Sequence, residues 1–585
     1  MKLTDVLALI LKKNKINHVF GLQGGAVVHM FDSAEKFNIG TTYVNHEVAA
    51  GLAATSYAKA TNNMGCSITT TGPGSTNVIT GLLAAWQDST PCLFISGNAR
   101  SSHLSYNKKV RQVGTQEVNI CDIVRPITKF TDYIKKKEDF IPTLLKAIKI
   151  AKSGRPGPVW IDIPLEFQWE NINLKKKKNL VVEKEKEKKL LNKKELKKIS
   201  KSIKILQSSK RPLLILGYGI RLSNTENLIK KIILKHKIPF VTTWTAADIF
   251  PTKYKYNLGI IGMSGQRGGN KAVFDSDAII CLGTHLSIPH TTTLYDQYAT
   301  KSKKIIVNID KDQLKHLNIK FDVKINVDLK DYLLFLFKSK RNQNLLWNKK
   351  IQNFKTMNWY NPKITKEPNS NIFLNKLTNK IKEKVCIIVD GGGTALYAGF
   401  QSTIIKDNDR LICSSAISSM GTGLAETIGV WNSNTFKNLL CVIGDGSILM
   451  NIQDLQTIFH EKINVKIILV NNNGYLAIRN TQKEFLNGKY YGTHPKWKLS
   501  MPSFKDVAKS YKIKYISVKK NFEMDKIINK IIKIKGPLIC ELFVNENQDI
   551  LFKQGYKTNS DGTFTPQPLS EMYPFLNKPI ANTNN

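Results

Sequence analysis

The sequence predicts an α/β protein made of three doubly wound parallel-sheet domains. Three observations predict it. At 585 residues the chain is too long for one core, and three domains of about 150–190 residues are expected. Short apolar runs rich in β-formers alternate with helical spacings in successive blocks. Between Leu439 and Val470 a buried strand (Leu439–Ile443), a helix (Asn451–Glu461) and a second buried strand (Val465–Val470) follow one another. That length is a βαβ unit, and its right-handed crossover makes the two strands parallel.

Along the chain, Met1 to Leu7 carries Asp5 inside its first apolar run, as an amphipathic helix does and a signal peptide does not. Residues 1–168 alternate strands and helices and close on Gly154–Pro164. Residues 169–198 read as a charged linker, a run of Lys and Glu from Lys175 that leads into a solvated helix. A central domain, 199–337, opens with the strand Pro212–Gly217. A polar linker, 338–370, leads to a C-terminal domain, 371–545, whose first strand is Val385–Val389. The tail, 546–585, is polar and carries Pro566, Pro568 and Pro574; it suits either a cover over a site or a segment lying on the surface.

Composition narrows the class. Hydrophobic residues make up 42% of the chain, a globular value, and no apolar stretch reaches the ~18 residues of a membrane span. Eight cysteines are dispersed without a CxxC pair, the pattern of reduced core thiols in a cytoplasmic protein. The net charge of +42 would suit nucleic acid. Lysines are spread over every surface segment, however, and no helix-turn-helix, zinc or RNA-binding aromatic signature accompanies them, so drift toward Lys, Asn and Ile accounts for the charge.

The most informative motif is Gly444-Asp445-Gly446-Ser447, followed 27 positions after Asp445 by Asn472 in Val470-Asn471-Asn472-Asn473-Gly474. The βαβ unit puts Asp445 and Asn472 at one carboxyl edge of a sheet, where open α/β sheets bind ligands. A carboxylate, an amide oxygen and loop carbonyls are hard ligands suited to Mg²⁺, and diphosphate oxygens can complete the octahedron. Glycines beside Asp445 admit phosphate, and the following helix offers free N–H groups. The tetrapeptide alone would also suit an ordinary turn; the Asn pair at this spacing favours the metal.

Other segments point to the same chemistry. Glu47 follows the strand Thr42–Val44 and precedes the Ala-rich helix Val48–Ala60, where an acid also suits a helix cap. Thr71-Gly72-Pro73-Gly74-Ser75-Thr76-Asn77 follows a strand and opens a helix. Gly24-Gly25-Ala26 follows another. Asp390-Gly391-Gly392-Gly393-Thr394 ends the first strand of the C-terminal domain, and Met420 lies among glycines, where it also reads as core.

These motifs together resemble the thiamine-diphosphate (ThDP) superfamily of pyruvate decarboxylase and acetolactate synthase, across essentially the whole chain and in the same domain order. The resemblance implies a pyrimidine-binding N-terminal domain, a Rossmann-like central domain and a C-terminal diphosphate and Mg²⁺ domain. Asp445, Asn472 and the Gly474 carbonyl would ligate the metal. Gly393, Thr394, Gly444, Gly446 and Ser447 would cradle diphosphate, and Met420 would wedge the cofactor into its bent form. Glu47 would hydrogen-bond the aminopyrimidine and drive removal of the thiazolium proton. Gly72, Pro73 and Asn77 would line the cofactor and subunit interface, with Gly24 and Gly25 nearby. The two halves of such a site come from different subunits, which implies a homo-oligomer.

Within the superfamily the N-terminal block is most similar to the acetolactate synthase catalytic subunit. Gln116-Glu117 and Arg125-Pro126-Ile127-Thr128-Lys129 match a family segment that makes Gln116 and Lys129 substrate-side residues, although the cluster also reads as a salt-bridged surface. The departures are informative. Gly283–Thr291 lacks both arginines that the synthases carry for flavin and for the second 2-oxo acid, and His or Pro cannot replace bidentate Arg. Thr481 stands where the synthases select the acceptor with Trp. Gly262-Met263-Ser264-Gly265 keeps part of the flavin-side segment and leaves room for FAD. Asn473-Gly474-Tyr475, Ile478–Gln482 and the ending from Asp561 to Phe575 resemble a divergent branch tied to surface-polysaccharide and branched-sugar biosynthesis. The expected function is a ThDP- and Mg²⁺-dependent carboligase that decarboxylates a 2-oxo acid such as pyruvate and passes the fragment to a carbonyl acceptor. The alternatives are acetyl transfer to a keto-sugar nucleotide and simple decarboxylation.

Overall fold

The computed structural model describes residues 1–106, 108–173, 180–182, 190–340, 347, 350–359, 362, 364–561 and 563–576. Much of the linker expected over 169–198 lies outside the described residues, as does part of the 338–370 linker.

Three six-stranded, all-parallel sheets form the protein. The first holds β1 (His18–Gly21), β2 (Gly40–Tyr43), β3 (Gly65–Thr69), β4 (Cys92–Asn98), β5 (Phe130–Tyr133) and β6 (Val159–Pro164), in the order β2-β1-β3-β4-β6-β5. The second holds β7 (Pro212–Leu216), β8 (Phe240–Thr242), β9 (Asn257–Ile260), β10 (Ala278–Leu282), β11 (Lys303–Val307) and β12 (Val323–Ile325), in the order β12-β11-β10-β7-β8-β9. That is the dinucleotide-fold order. The third holds β13 (Cys386–Val389), β14 (Arg410–Ile412), β15 (Leu439–Gly444), β16 (Val465–Asn471), β17 (Lys514–Val518) and β18 (Leu538–Phe543), in the order β14-β13-β15-β16-β18-β17. The first and third sheets therefore share one permuted order. Their central strands are buried on both faces, which is why they read as unbroken apolar runs rather than alternating ones.

The chain divides into two compact units. One joins the first sheet to the third through Lys382–Ala395 and Arg410–Phe543; the other joins the central sheet to Leu396–Asp409 and the residues from Val544. In the first unit, the helix Glu47–Thr61 packs on the helix Thr422–Asn432 and on Ile79–Gln87. It is buried on nearly every side, which demands its run of small residues. At Gly429 a Cβ would lie 2.0 Å from the Ala53 carbonyl oxygen, so only glycine permits this approach of the two helices.

Lys59 locks that packing. Its ammonium donates to Asp88 Oδ2 at 2.7 Å and to the Cys413 carbonyl at 2.9 Å, and the pair is 3% and 2% exposed. Replacing Lys59 by Met leaves a buried, uncompensated carboxylate, so a loss of about 3–5 kcal/mol in denaturant unfolding is expected. Unchanged unfolding would show that Asp88 finds another partner.

In the second unit the described part of the tail forms a strap. β19 (Lys553–Gln554) pairs with β22 (Met572–Tyr573), and between them β20 (Tyr556–Thr558) pairs with β21 (Phe564–Pro566), both antiparallel. Leu551, Phe552, Leu569 and Met572 bury themselves against Met263 and Phe274. All eight cysteines are free and buried. Among the described residues no helix is long and apolar enough to cross a membrane.

Candidate active site

In the third sheet the order of connection reverses between β13 and β15. The loops after these two strands open a crevice at the carboxyl edge, the usual ligand position of such sheets. β15 and β16 run parallel with Gly444 opposite Val470, so Asp445 and Asn472 leave adjacent strands at that edge. Helical turns begin at once, at Asp445–Ile448 and Leu449–Asn451, and the helix expected over Asn451–Glu461 is confined to Asp454–His460.

Asp445 is 1% exposed. Its Oδ1 accepts from the Gly446 N–H and its Oδ2 from the Gly474 N–H, both at 2.9 Å. Burial pushes this carboxyl up to about 6, against the opposing pull of those N–H groups and of the Arg479 charge. Asn472 Nδ2 donates to Thr394 Oγ1 at 2.8 Å. Its Oδ1 is buried and accepts no hydrogen bond from the described residues, which is costly unless a ligand takes it. Gly474 has φ +126°, a backbone suited to glycine, and a Cβ there would meet the Thr493 carbonyl oxygen at 2.3 Å. At Gly393, with φ +54°, a Cβ would meet nothing within 4 Å, so the backbone faces open space. Ser447 and Thr394 are buried, Gly444 and Met420 are partly exposed, and the Tyr475 ring lies against Gly446.

Asp390 is a member of this site whose role was hidden in the sequence. Its Oδ1 accepts from the Gly392 N–H at 3.1 Å and its Oδ2 from the Gly423 N–H at 3.0 Å. It thus ties the 390–394 loop to the turn after Met420. Arg479 is a second: its guanidinium donates to the carbonyls of Asn472, Asn473 and Thr493. Nothing in local spacing marks either, because Asp390 reaches Gly423 in a separate segment and Arg479 gathers carbonyls from both sides of its own helix.

A second group gathers at the carboxyl edge of the first sheet. Glu47 is the first residue of its helix and 7% exposed. Asn77 Nδ2 donates to Glu47 Oε2 at 3.1 Å, and Gly74 lies against Glu47 Oε1. Pro73 opens the short helix Pro73–Asn77. Gly72 abuts the carbonyl of Gln116, which accepts from Thr71 Oγ1 at 3.1 Å. Gln116 is exposed with φ +57°. Its loop is anchored from below: Thr71 shares its single hydroxyl proton between that carbonyl and Asn98 Oδ1, and Asn98 Nδ2 donates to the fully buried Asp162. Gly24 packs on Thr70, and Gly25 is exposed.

Lys129 is not brought to this group. It precedes β5 at the opposite, amino edge of the sheet, and its ammonium donates to the carbonyls of Ile150 and Ser153 at the end of the helix Phe140–Lys152. Burial pushes it down to about 8. Thr481 is exposed on the helix Leu476–Phe485.

The residues of the third sheet fit a cation bound to a diphosphate. Asp445, the orphaned Asn472 Oδ1 and the loop carbonyls are an oxygen-only donor set. The open backbone at Gly393 is a cradle that a side chain would fill. Among the described residues no cluster of three His, Cys, Asp or Glu side chains could hold a metal instead.

Comparison with known proteins agrees with this architecture. Residues 1–123 match the N-terminal TPP binding domain of the thiamine pyrophosphate enzymes, 199–336 their central domain, and 391–542 their C-terminal TPP binding domain. The chain belongs to the thiamine pyrophosphate enzyme family. Within that family it is an enzyme of the acetolactate synthase type. It is 30% identical over 565 residues to the acetolactate synthase large subunit of Cyanidium caldarium, covering 93% of this chain and 94% of the relative. It is 30% identical over 561 residues to that of Haemophilus influenzae, with coverage of 93% and 94%. With that of Porphyra purpurea it shares 28% over 550 residues, with coverage of 92% and 91%.

Proposed function

We propose that this protein is a ThDP- and Mg²⁺-dependent carboligase of the cytoplasm. It takes a 2-oxo acid, pyruvate foremost, releases CO₂ and joins the remaining two-carbon fragment to a carbonyl acceptor. The buried, unpartnered Asn472 Oδ1 beside Asp445 carries the reading, because a hard cation is the ligand that meets both. Asp445, Asn472 and the Gly474 carbonyl would hold Mg²⁺; the 390–394 loop, Gly444, Gly446 and Ser447 would hold diphosphate. Bound there, ThDP supplies the electron sink that lets a 2-oxo acid lose CO₂.

The chain's own residues do the rest. Asn77 occupies Glu47 Oε2, which leaves Oε1 as the oxygen that exchanges a proton with the pyrimidine ring. Gly72, Pro73, Gly24 and Gly25 bring backbone close to that ring, and Gln116 stands over it on a loop anchored through Asp162. Met420, flanked by the loop that Asp390 ties down, supports the bend of the cofactor. The Glu47 group and the Asp445 group belong to two different sheets, and we propose that a homodimer or homotetramer pairs one group from each subunit.

Burial pushes His290, in the stretch where the synthases place arginine, down to about 3, so it offers no charge to a flavin diphosphate. Met263 of the partly kept segment packs against the tail. These residues do not fit the flavin as the resemblance implies.

A second reading, acetyl transfer to a keto-sugar nucleotide, is favoured by one observation. Lys108, Lys109 and Arg111 are exposed on the loop that leads into Gln116, a setting for an anionic acceptor. Purified protein with ThDP, Mg²⁺ and labelled pyruvate separates the readings. Acetolactate from pyruvate alone is the expected product. CO₂ release only on adding a keto-sugar nucleotide would establish the second reading, and acetaldehyde alone a simple decarboxylase. No CO₂ from any short 2-oxo acid would sink the carboligase.

A further inference from the structure

Arg479 is 4% exposed, and a buried guanidinium is costly unless its donors are taken. Its Nη2 donates to the Asn472 carbonyl at 2.8 Å, and its Nη1 to the Asn473 carbonyl at 3.1 Å and the Thr493 carbonyl at 3.0 Å. The first two are consecutive carbonyls of the loop that also bears Asn472 Oδ1 and Gly474. The third accepts as well from the Tyr475 N–H at 3.1 Å, so one carbonyl joins the guanidinium to the end of the same loop. Asn473 has φ +60° and Gly474 φ +126°. Such backbone persists only where its surroundings fix it, and the planar fork of Arg fixes carbonyl directions as Lys cannot.

We propose that Arg479 is the positioning residue of the metal loop. By binding the carbonyls of Asn472 and Asn473 it turns them away from the cation and leaves the Asn472 side-chain oxygen and the Gly474 carbonyl to face it. Arg479 touches neither substrate nor cofactor in this role. The proposal rests on the Mg²⁺–ThDP reading above.

The test is Mg²⁺ binding rather than turnover. The half-saturating Mg²⁺ concentration is measured by tryptophan fluorescence or calorimetry at saturating ThDP, for the parent, Arg479→Gln and Arg479→Lys. Loss of the clamp in Arg479→Gln is expected to raise it about tenfold or more. Arg479→Lys, with the charge but not the fork, should fall between, at about threefold. Melting of the cofactor-free proteins is recorded alongside. Variants that melt lower yet bind Mg²⁺ as the parent does would overturn the proposal and leave Arg479 a purely structural residue. If Arg479→Gln does not fold, an unchanged Mg²⁺ requirement in Arg479→Lys overturns it as well. A parent that binds ThDP without any Mg²⁺ requirement would instead remove the metal reading, and this proposal with it.

Discussion

Glu47→Gln should lower turnover by about 10²–10⁴-fold while cofactor binding stays within a few-fold of the parent. Gln preserves the shape of the side chain and can still accept from Asn77 Nδ2, now through its amide oxygen. What it loses is the carboxylate oxygen to which we assign the proton transfer. The helix start that places residue 47 is capped by the His46 side chain, not by Glu47, so the fold has no reason to change. Two measurements check this. The steady-state rate of CO₂ release reports turnover, and hydrogen–deuterium exchange at the reactive carbon of bound ThDP reports the proton transfer itself. A slow rate with unchanged exchange would place Glu47 in a later step, and full activity would remove it from the chemistry.

Asp445→Ala should abolish Mg²⁺-dependent retention of ThDP. Loss of a direct anionic ligand costs at least the roughly 10–100-fold that loss of a supporting partner costs. The pH dependence of the parent has a definite sign. Burial raises the Asp445 carboxyl to about 6 in the metal-free protein, and Mg²⁺ needs it ionised. Affinity should therefore be flat above that pH and fall about tenfold per pH unit below it. Calorimetric titration of Mg²⁺ from about one pH unit below the inflection to about two units above it reads both effects. A profile with no inflection near 6 would show that Asp445 is not the titrating ligand.

The Asp445–Asn472 pair was legible because its information is local. One crossover length fixes two strands as parallel, and parallel strands deliver the residues after them to the same edge. Glu47 was legible as an acid at a helix start, but its pairing with Asn77 required two loops of the first sheet to meet. The same limit explains Lys129. Its motif placed it with Gln116, yet one residue precedes a strand and the other contacts a loop that follows one, so the parallel sheet holds them at opposite edges. The tail was equally undecided in sequence. Its few apolar residues, Leu551, Phe552, Leu569 and Met572, are too sparse to show a period, and they become a core only against Met263 and Phe274.

By itself the sequence determined the α/β class, the three parallel sheets, the cofactor family and the two loops that carry Asp445 and Asn472 to one sheet edge. Those properties follow from periodicity, crossover length and the chemistry of short motifs. Only the tertiary structure decided how the loops are held. Asp390 joins its loop to the turn after Met420, Arg479 binds the carbonyls of Asn472, Asn473 and Thr493, and Asp162 supports Gln116 through Asn98 and Thr71. Each is a buried polar group with partners outside its own element, and burial obliges it to find them there. Spacing along the chain carries no record of that obligation.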